Sequence, residues 1–162
     1  MPKRTIATWL MKSEPDVYSI DTLHKERVGT WEGVRNYVAR NHMRAMKEGD
    51  LALFYHSSVQ PPGVVGAMRI CKEAYPDPTQ FDKKSEYYDE KSKPAAPRWD
   101  RVEVEFVEKF PRMVTLDELK ADPACADMLV IRRGMRLSVQ PVAPAEFAHV
   151  LKLAKAKLKL KA

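Results

Sequence analysis

The chain has 162 residues, 44% of them hydrophobic and 31% charged, with a net charge of +6 and two cysteines. That is the composition of one globular domain large enough to bury a core, and it argues against a mainly disordered chain. No apolar run approaches the length of a membrane span, and the short apolar stretch ending at Lys12 makes a poor signal peptide. A cytoplasmic setting is expected, or a nuclear one in a eukaryote. The positive charge is compatible with a nucleic-acid partner without requiring one.

Ala7 to Met11 is apolar and β-capable, a predicted strand. It stops at Lys12 to Asp16, where Pro15 disfavours helical geometry at Glu14. Ser19 is placed to cap a short helix before Gly29. Val34 to Lys47 reads as a helix ended by Gly49, with Val34, Tyr37, Val38 and Met46 as its apolar side. Asp50 to His56 is a predicted buried strand, followed by the loop SSVQPPG. Val64 to Ile70 is another, with Gly66 marking a bulge or a close backbone approach. Residues 74–97 are rich in Pro, Asp, Lys and Tyr, and loops of that length tend to be functional or disordered. Trp99 to Phe110 alternates, with Val102, Val104 and Phe106 on one face and charges on the other, as in a half-buried antiparallel strand. Thr115 and Glu118 have the spacing of a capping box. Met128 to Arg132 is short and apolar, and Arg136 to Val139 is a candidate last strand. Pro144 starts a helix with Phe147, Val150, Leu151 and Ala154 at helical spacing. The lysines from Lys152 onward read either as a solvated, fraying helix end favoured by the helix dipole or as a basic arm for phosphate backbone, the first being the plainer reading. The sum is an α+β domain with about five strands in a curled sheet or barrel.

Catalytic patterns are scarce. Cys71 and Cys125 stand alone, without CxxC or Cys/His spacing, so no metal site is expected. None of His24, His42, His56 and His149 lies in an HExxH or HxE arrangement. His56 precedes Ser57, yet there is no GxSxG elbow, and adjacent strand residues point to opposite faces. The six glycines form neither GxGxxG nor a Walker A loop, so no nucleotide cofactor is expected. Asp117 and Glu118 suit the first turn of a helix better than a catalytic pair.

What remains is a binding constellation. Lys12, Ser13 and Glu14 lie just past a strand end. The run TWEGVRNYVARN opens a predicted helix and carries Trp31, Asn36, Tyr37, Arg40 and Asn41. Tyr55, His56 and Ser57 end another strand, and Arg136 and Ser138 enter a late one. Strand ends and helix starts are where small domains collect ligand-contacting groups. Flat aromatic faces with amides, hydroxyls and guanidinium groups are what a nucleobase requires, stacking plus hydrogen bonds to its edge. The plainer reading makes Trp31 and Tyr37 core anchors and sets Asn36 and Asn41 on backbone carbonyls.

WLMKSEP (Trp9 to Pro15), WEGVRNYVARN (Trp31 to Asn41), FYHSS (Phe54 to Ser58), GVVGAMRICKEAYPDPTQF (Gly63 to Phe81) and RLSVQP (Arg136 to Pro141) follow one another as in the EVE-domain family. The chain resembles that family over residues 1–154, leaving a Lys-rich tail at 155–162. The resemblance implies a PUA-like mixed β-barrel or curled sheet of five or six strands with flanking helices, related to the YTH readers of methylated adenine. It implies a monomeric, non-enzymatic reader that needs no cofactor and touches no membrane. Its partner would be nucleic acid, with a modified cytosine of DNA held in an aromatic-lined pocket. Carried onto this chain, the pocket draws on Lys12, Ser13, Glu14, Trp31, Asn36, Tyr37, Arg40, Asn41, Tyr55, His56, Ser57, Arg136 and Ser138. Trp99 is a weaker member because it also suits the start of the long strand. Gly134 departs from the family pattern, in which a glutamine often follows the first arginine of the last motif. Two rivals stay open: an RNA-binding module of the PUA type, and a hydrolase or transferase acting on a modified nucleoside with His56 or Glu14 as base.

Overall fold

The computed structural model describes residues 5–160, so what was read at Met1 to Arg4 and at Lys161 and Ala162 lies outside it. In chain order the elements are β1 (Thr8–Ser13), α1 (Ile20–Glu26), β2 (Val28–Trp31), α2 (Tyr37–Ala45), β3 (Leu51–His56), β4 (Gly63–Pro76), β5 (Asp100–Thr115), α3 (Leu116–Ala121), β6 (Val139–Val142) and α4 (Pro144–Leu153). The strands form one six-stranded sheet in the order β2-β5-β4-β3-β1-β6. β1 and β3 pair in parallel, and the other neighbours are antiparallel. The sheet is mixed and open, so the α+β class holds with an open sheet rather than a closed barrel.

The central strands are buried on both faces, which is why β3 reads as an uninterrupted apolar run. Side chains alternate across a strand. Leu10, Leu51, Leu53 and Tyr55 therefore join Phe147, Val150 and Leu151 of α4 on one side. Trp9, Met11, Ala52 and Phe54 join Ile20 and Leu23 of α1 and Met43 of α2 on the other. At Gly66 both expectations are met. The register shifts there, and an added Cβ would lie 2.6 Å from the Glu108 carbonyl oxygen. Thr115 and Glu118 close the capping box in both directions.

Several boundaries move, each for a local reason. β2 escaped the sequence reading because four residues containing a glycine show no period; it pairs with β5, Trp31 facing Val102. Trp31 therefore ends a strand rather than opening a helix. α2 starts at Tyr37, because the Asn36 side chain caps it by accepting from the Ala39 amide at 3.0 Å. Its inward side is Ala39 and Met43, whereas Tyr37 and Val38 are exposed, contrary to the periodicity reading. The run Met128 to Arg132 holds only a 3₁₀ turn, Leu129–Ile131. β6 starts at Val139, after a turn in which the Met135 amide donates to the Arg132 carbonyl at 3.1 Å. Gly134 supplies the positive φ of +74° that this turn uses. α4 ends at Leu153, so the C-terminal lysines do not continue a helix. Lys155, Lys157 and Lys159 face solvent, while Ala156 is buried and Leu158 and Leu160 pack on the core.

Candidate nucleic-acid interface

Two clefts meet at Lys12. The first has a volume of about 680 Å³ and opens where β1 and β2 end. Lys12 and Ser13 line it from β1, Glu14 from the turn after it, Thr30 and Trp31 from β2, and Ser138 from the segment before β6. Tyr18 holds one wall. The turn after β1 places it, because the Val17 and Tyr18 amides both donate to the Glu14 carbonyl at 2.9 Å. Ser13 Oγ donates to the Tyr18 carbonyl at 2.7 Å, and Tyr18 Oη donates to Glu26 at 3.1 Å. Burial and the Glu26 carboxylate push the Tyr18 phenol well above its ordinary range, so it stays a neutral donor. Trp31 is the floor. Its ring meets Phe54 edge to face at 5.2 Å and Tyr18 at 6.2 Å. It keeps 6% of its surface exposed. Among the described residues its Nε1 has no hydrogen-bond partner.

The other wall comes from the long segment between β4 and β5, which is ordered by a buried polar knot. Gln80 Nε2 donates to the carbonyls of Asp77 and Trp99, both at 2.7 Å, and its Oε1 accepts from Ser92 Oγ and the Trp99 amide. Arg35 clamps this segment to the sheet. Its guanidinium donates to the Tyr87 carbonyl at 2.7 and 3.0 Å, to Thr79 Oγ1 at 3.0 Å and to Asp77 Oδ2 at 3.2 Å. Burial alone would push the Asp77 carboxyl up. Hydrogen bonds from Thr79 and Gly33 and the charge of Arg35 outweigh it and hold the group below the usual carboxylate range. The clamp delivers Tyr87 and Glu86 to the cleft. Gly33, at φ +78°, packs so close that a Cβ would lie 2.6 Å from the Tyr87 ring.

The second cleft, about 540 Å³, is lined by Lys12, Tyr55, Lys120, Arg132, Arg133 and Arg136 together with Leu116, Val130, Ile131, Gly134 and Met135. Lys12 Nζ donates to the Met135 carbonyl at 3.2 Å and lies 5.7 Å from the Tyr55 ring centre. Burial lowers its pKa and pushes the Tyr55 phenol up to about 12.

Of the residues read from sequence, Lys12, Ser13, Glu14, Trp31 and Ser138 line the first cleft, and Tyr55 and Arg136 line the second. Asn36, Tyr37, Arg40, Asn41, His56, Ser57 and Trp99 line neither. Asn36 is a cap. Tyr37 stacks on Trp99 at 4.7 Å, and the Arg40 guanidinium lies over the Tyr37 ring at the same distance. Arg40 also donates to the Arg98 carbonyl and to Asn41 Oδ1. Trp99 is buried and donates from Nε1 to Asp89 at 2.7 Å. His56 Nε2 accepts from the Ile20 amide at 3.2 Å, tying the start of α1 to β3. The Ser57 amide donates to the Ser13 carbonyl. The sequence reading missed Tyr18, Thr30, Glu32, Gly33, Arg35, Glu86 and Tyr87. Thr30, Glu32, Gly33 and Arg35 lie inside the run TWEGVRNYVARN; Tyr87 has only the unusual length of its loop to announce it. Away from the clefts, the fold also gathers Asp122, Cys125 and His149 within 4.8 Å, a group that local spacing did not reveal. There His149 Nε2 and Asp122 Oδ2 already meet at 2.7 Å.

An open mixed sheet with flanking helices, carrying an aromatic-floored, polar-walled cleft at its strand ends, is a PUA-like fold. The chain belongs to the EVE-domain family, whose model matches residues 7–153. Thymocyte nuclear protein 1 of Gallus gallus is 43% identical, over 93% of this chain and 70% of its own. The Homo sapiens protein of that name is 42% identical, over 94% and 80%. A crystal structure from Pseudomonas putida matches with a TM-score of 0.89 at 45% identity, covering 91% of this chain and 99% of that one. The human protein solved in complex with DNA containing 5-methylcytosine matches with a TM-score of 0.87 at 42% identity, covering 94% and 99%. A YTH domain of Zygosaccharomyces rouxii, at 13% identity and a TM-score of 0.54, shares the fold alone. Among the described residues no helix is long and apolar enough to cross a membrane.

Proposed function

We propose that this chain is a reader that captures a modified base, a modified cytosine of DNA, in the first cleft without transforming it. The observation that carries the reading is the pairing of flat surface with unspent polar groups. Among the described residues the Trp31 indole N–H has no partner and Ser138 Oγ makes no hydrogen bond. Glu14, Glu26, Glu32 and Glu86 also line the cleft, the first three already accepting from Ser58, Tyr18 and Thr30 but keeping further lone pairs. Carboxylates accept from the exocyclic amine of cytosine. A volume of about 680 Å³ falls in the range of small-molecule sites. The human relative solved with 5-methylcytosine DNA supports the same reading. His56, the base an enzymatic reading would need, spends its Nε2 lone pair on the Ile20 amide.

A target base would be turned out of its stack to enter. Burying its methyl group is worth about 0.8 kcal/mol, roughly fourfold in affinity, so sharper selection must come from a polar group left unpaired by the wrong base. The test is fluorescence anisotropy on strands and duplexes carrying cytosine, 5-methylcytosine, 5-hydroxymethylcytosine, adenine or N6-methyladenine, with ribo-oligonucleotides alongside. Removing the Trp31 ring would cost about 3–5 kcal/mol of stability. Trp31→Phe, which keeps most of the ring and loses the N–H, is therefore compared with Trp31→Ala after both are shown to fold. A preference for one modified base that both variants blunt supports the reading. Equal weak binding of all probes, unchanged in Trp31→Phe, rejects it; tighter binding of ribo-oligonucleotides turns it toward RNA.

A further inference from the structure

The two clefts differ sharply in charge. The first is lined by four glutamates against Lys12 and Arg35, and Arg35 is committed to Asp77, Thr79 and Tyr87. A phosphate is repelled there. The second is lined by five cations, Lys12, Lys120, Arg132, Arg133 and Arg136, and by no carboxylate. Elsewhere arginines are neutralised by carboxylates: Arg44 of α2 pairs with Asp100, Arg69 with Glu105 and Arg101 with Glu32. Among the described residues none of the five makes a salt bridge. Lys120, Arg132, Arg133 and Arg136 are exposed. The clefts are joined by one short segment. Arg136 lines the second and Ser138 the first, and two residues of extended chain span only about 7 Å. Lys12 lines both, held between them by its bond to the Met135 carbonyl.

We propose that the second cleft is a phosphate-binding subsite, which holds backbone phosphodiesters of the strand whose base enters the first cleft. The inference rests on the base-capture reading and assigns that strand its path: the base turns toward Trp31, and its backbone runs past Lys12 into the arginine cleft. Arg132, Arg133 and Arg136 stand on an exposed turn, so their guanidinium groups reach phosphate oxygens without desolvating a protein carboxylate. Such contacts position the strand and carry no sequence information.

The test uses the full chain with Arg133→Gln/Arg136→Gln. Lys152→Gln/Lys155→Gln, which removes the same charge from residues lining neither cleft, is the control. Three probes are compared across salt concentrations: a strand with 5-methylcytosine, the same strand with cytosine, and the strand with an abasic site at that position. The arginine variant is expected to bind all three more weakly by a common factor, roughly tenfold at moderate salt, while the ratio between modified and unmodified strands stays as in the parent. Its slope of log affinity against log salt is expected to fall by about 1.4, the single-strand value for two phosphates that are no longer neutralised. Trp31→Phe is expected to alter the modified-to-unmodified ratio and leave abasic binding untouched. If the arginine variant binds the abasic strand like the parent, or no more weakly than the lysine control does, the subsite is overturned even where base preference survives. If base preference is absent while the arginine variant alone loses abasic binding, the base reading fails and the phosphate subsite stands.

Discussion

At the scale of single residues, the neighbours decide which polar groups are free to meet a ligand. Asn36, Asn41, His56 and Trp99 carry the chemistry of a base-reading site, but each is occupied by the fold. Trp31 and Ser138 are not, and they line the first cleft. His56 gives a sharp prediction. Burial lowers its pKa below 6.5; the charge of Asp21 opposes this and that of Lys109 adds to it. Accepting from the Ile20 amide also requires Nε2 to be unprotonated. Above pH 6.5 folded and unfolded chains are both neutral at this group. As pH falls through 6.5 the unfolded chain takes up the proton first, so stability declines until the folded-state pKa is reached and then levels. The urea midpoint is therefore expected to drop between pH 7.5 and pH 5.5. His56→Gln, which keeps an acceptor and does not titrate, should flatten part of that drop; an identical pH profile in the variant would show that His56 is not the group responsible.

At the scale of elements, the segment between β4 and β5 shows how a long polar loop becomes a wall. Backbone groups of this segment are satisfied by the side chains of Gln80, Ser92 and Asp77, all buried. Arg35 fastens it from the segment after β2. Asp77 has no exposed side-chain surface, and Arg35 has 22%. Arg35→Ala leaves a buried carboxylate short of its cation and is expected to cost about 3 kcal/mol, read as a lower urea midpoint. Arg35→Lys keeps the charge and loses the forked bonds to Tyr87, so its midpoint should fall between those of the parent and Arg35→Ala. Limited proteolysis should cut residues 82–93 faster in Arg35→Ala than in the parent, and equal cutting would mean that the knot around Gln80 holds the loop unaided.

At the scale of the whole molecule, the sheet divides two cores, and the C-terminal segment closes one of them. Ala154 and Ala156 are buried, and Leu158 and Leu160 rest on the same cluster as α4. The amides of Lys157 and Leu158 donate to the Glu108 carboxylate on β5. Removing residues 156–162 is expected to lower stability by about 2–3 kcal/mol, the value of partly burying two leucines and an alanine. Calorimetry or urea unfolding of the shortened chain checks this, and an unchanged midpoint would return the segment to the status of a solvated tail.

Much of the architecture was legible in the sequence because it depends on local pattern. Doubly buried β3 shows as an apolar run, half-buried β5 as alternation, and α3 and α4 as a capping box and a helical stripe, each a direct consequence of side-chain geometry. The ordered motifs also single out Lys12, Ser13, Glu14, Trp31 and Ser138, although Trp31, expected at a helix start, ends β2 instead. The tertiary structure alone decided how those groups are spent. β2 exists because Val28–Trp31 finds β5 as an edge partner, and no four-residue run announces its partner. Tyr87 reaches the cleft only through the buried Gln80 and through Arg35, 52 positions away in sequence. The separation of glutamates in one cleft from unpaired arginines in the next arises when β1 and the segment before β6 come side by side. Composition reports only a net charge of +6. Periodicity is a property of neighbours along the chain, and it dictates which face is buried; hydrogen bonds and charge pairing between distant segments exist only once the chain has folded, and they dictate which polar groups remain for a ligand.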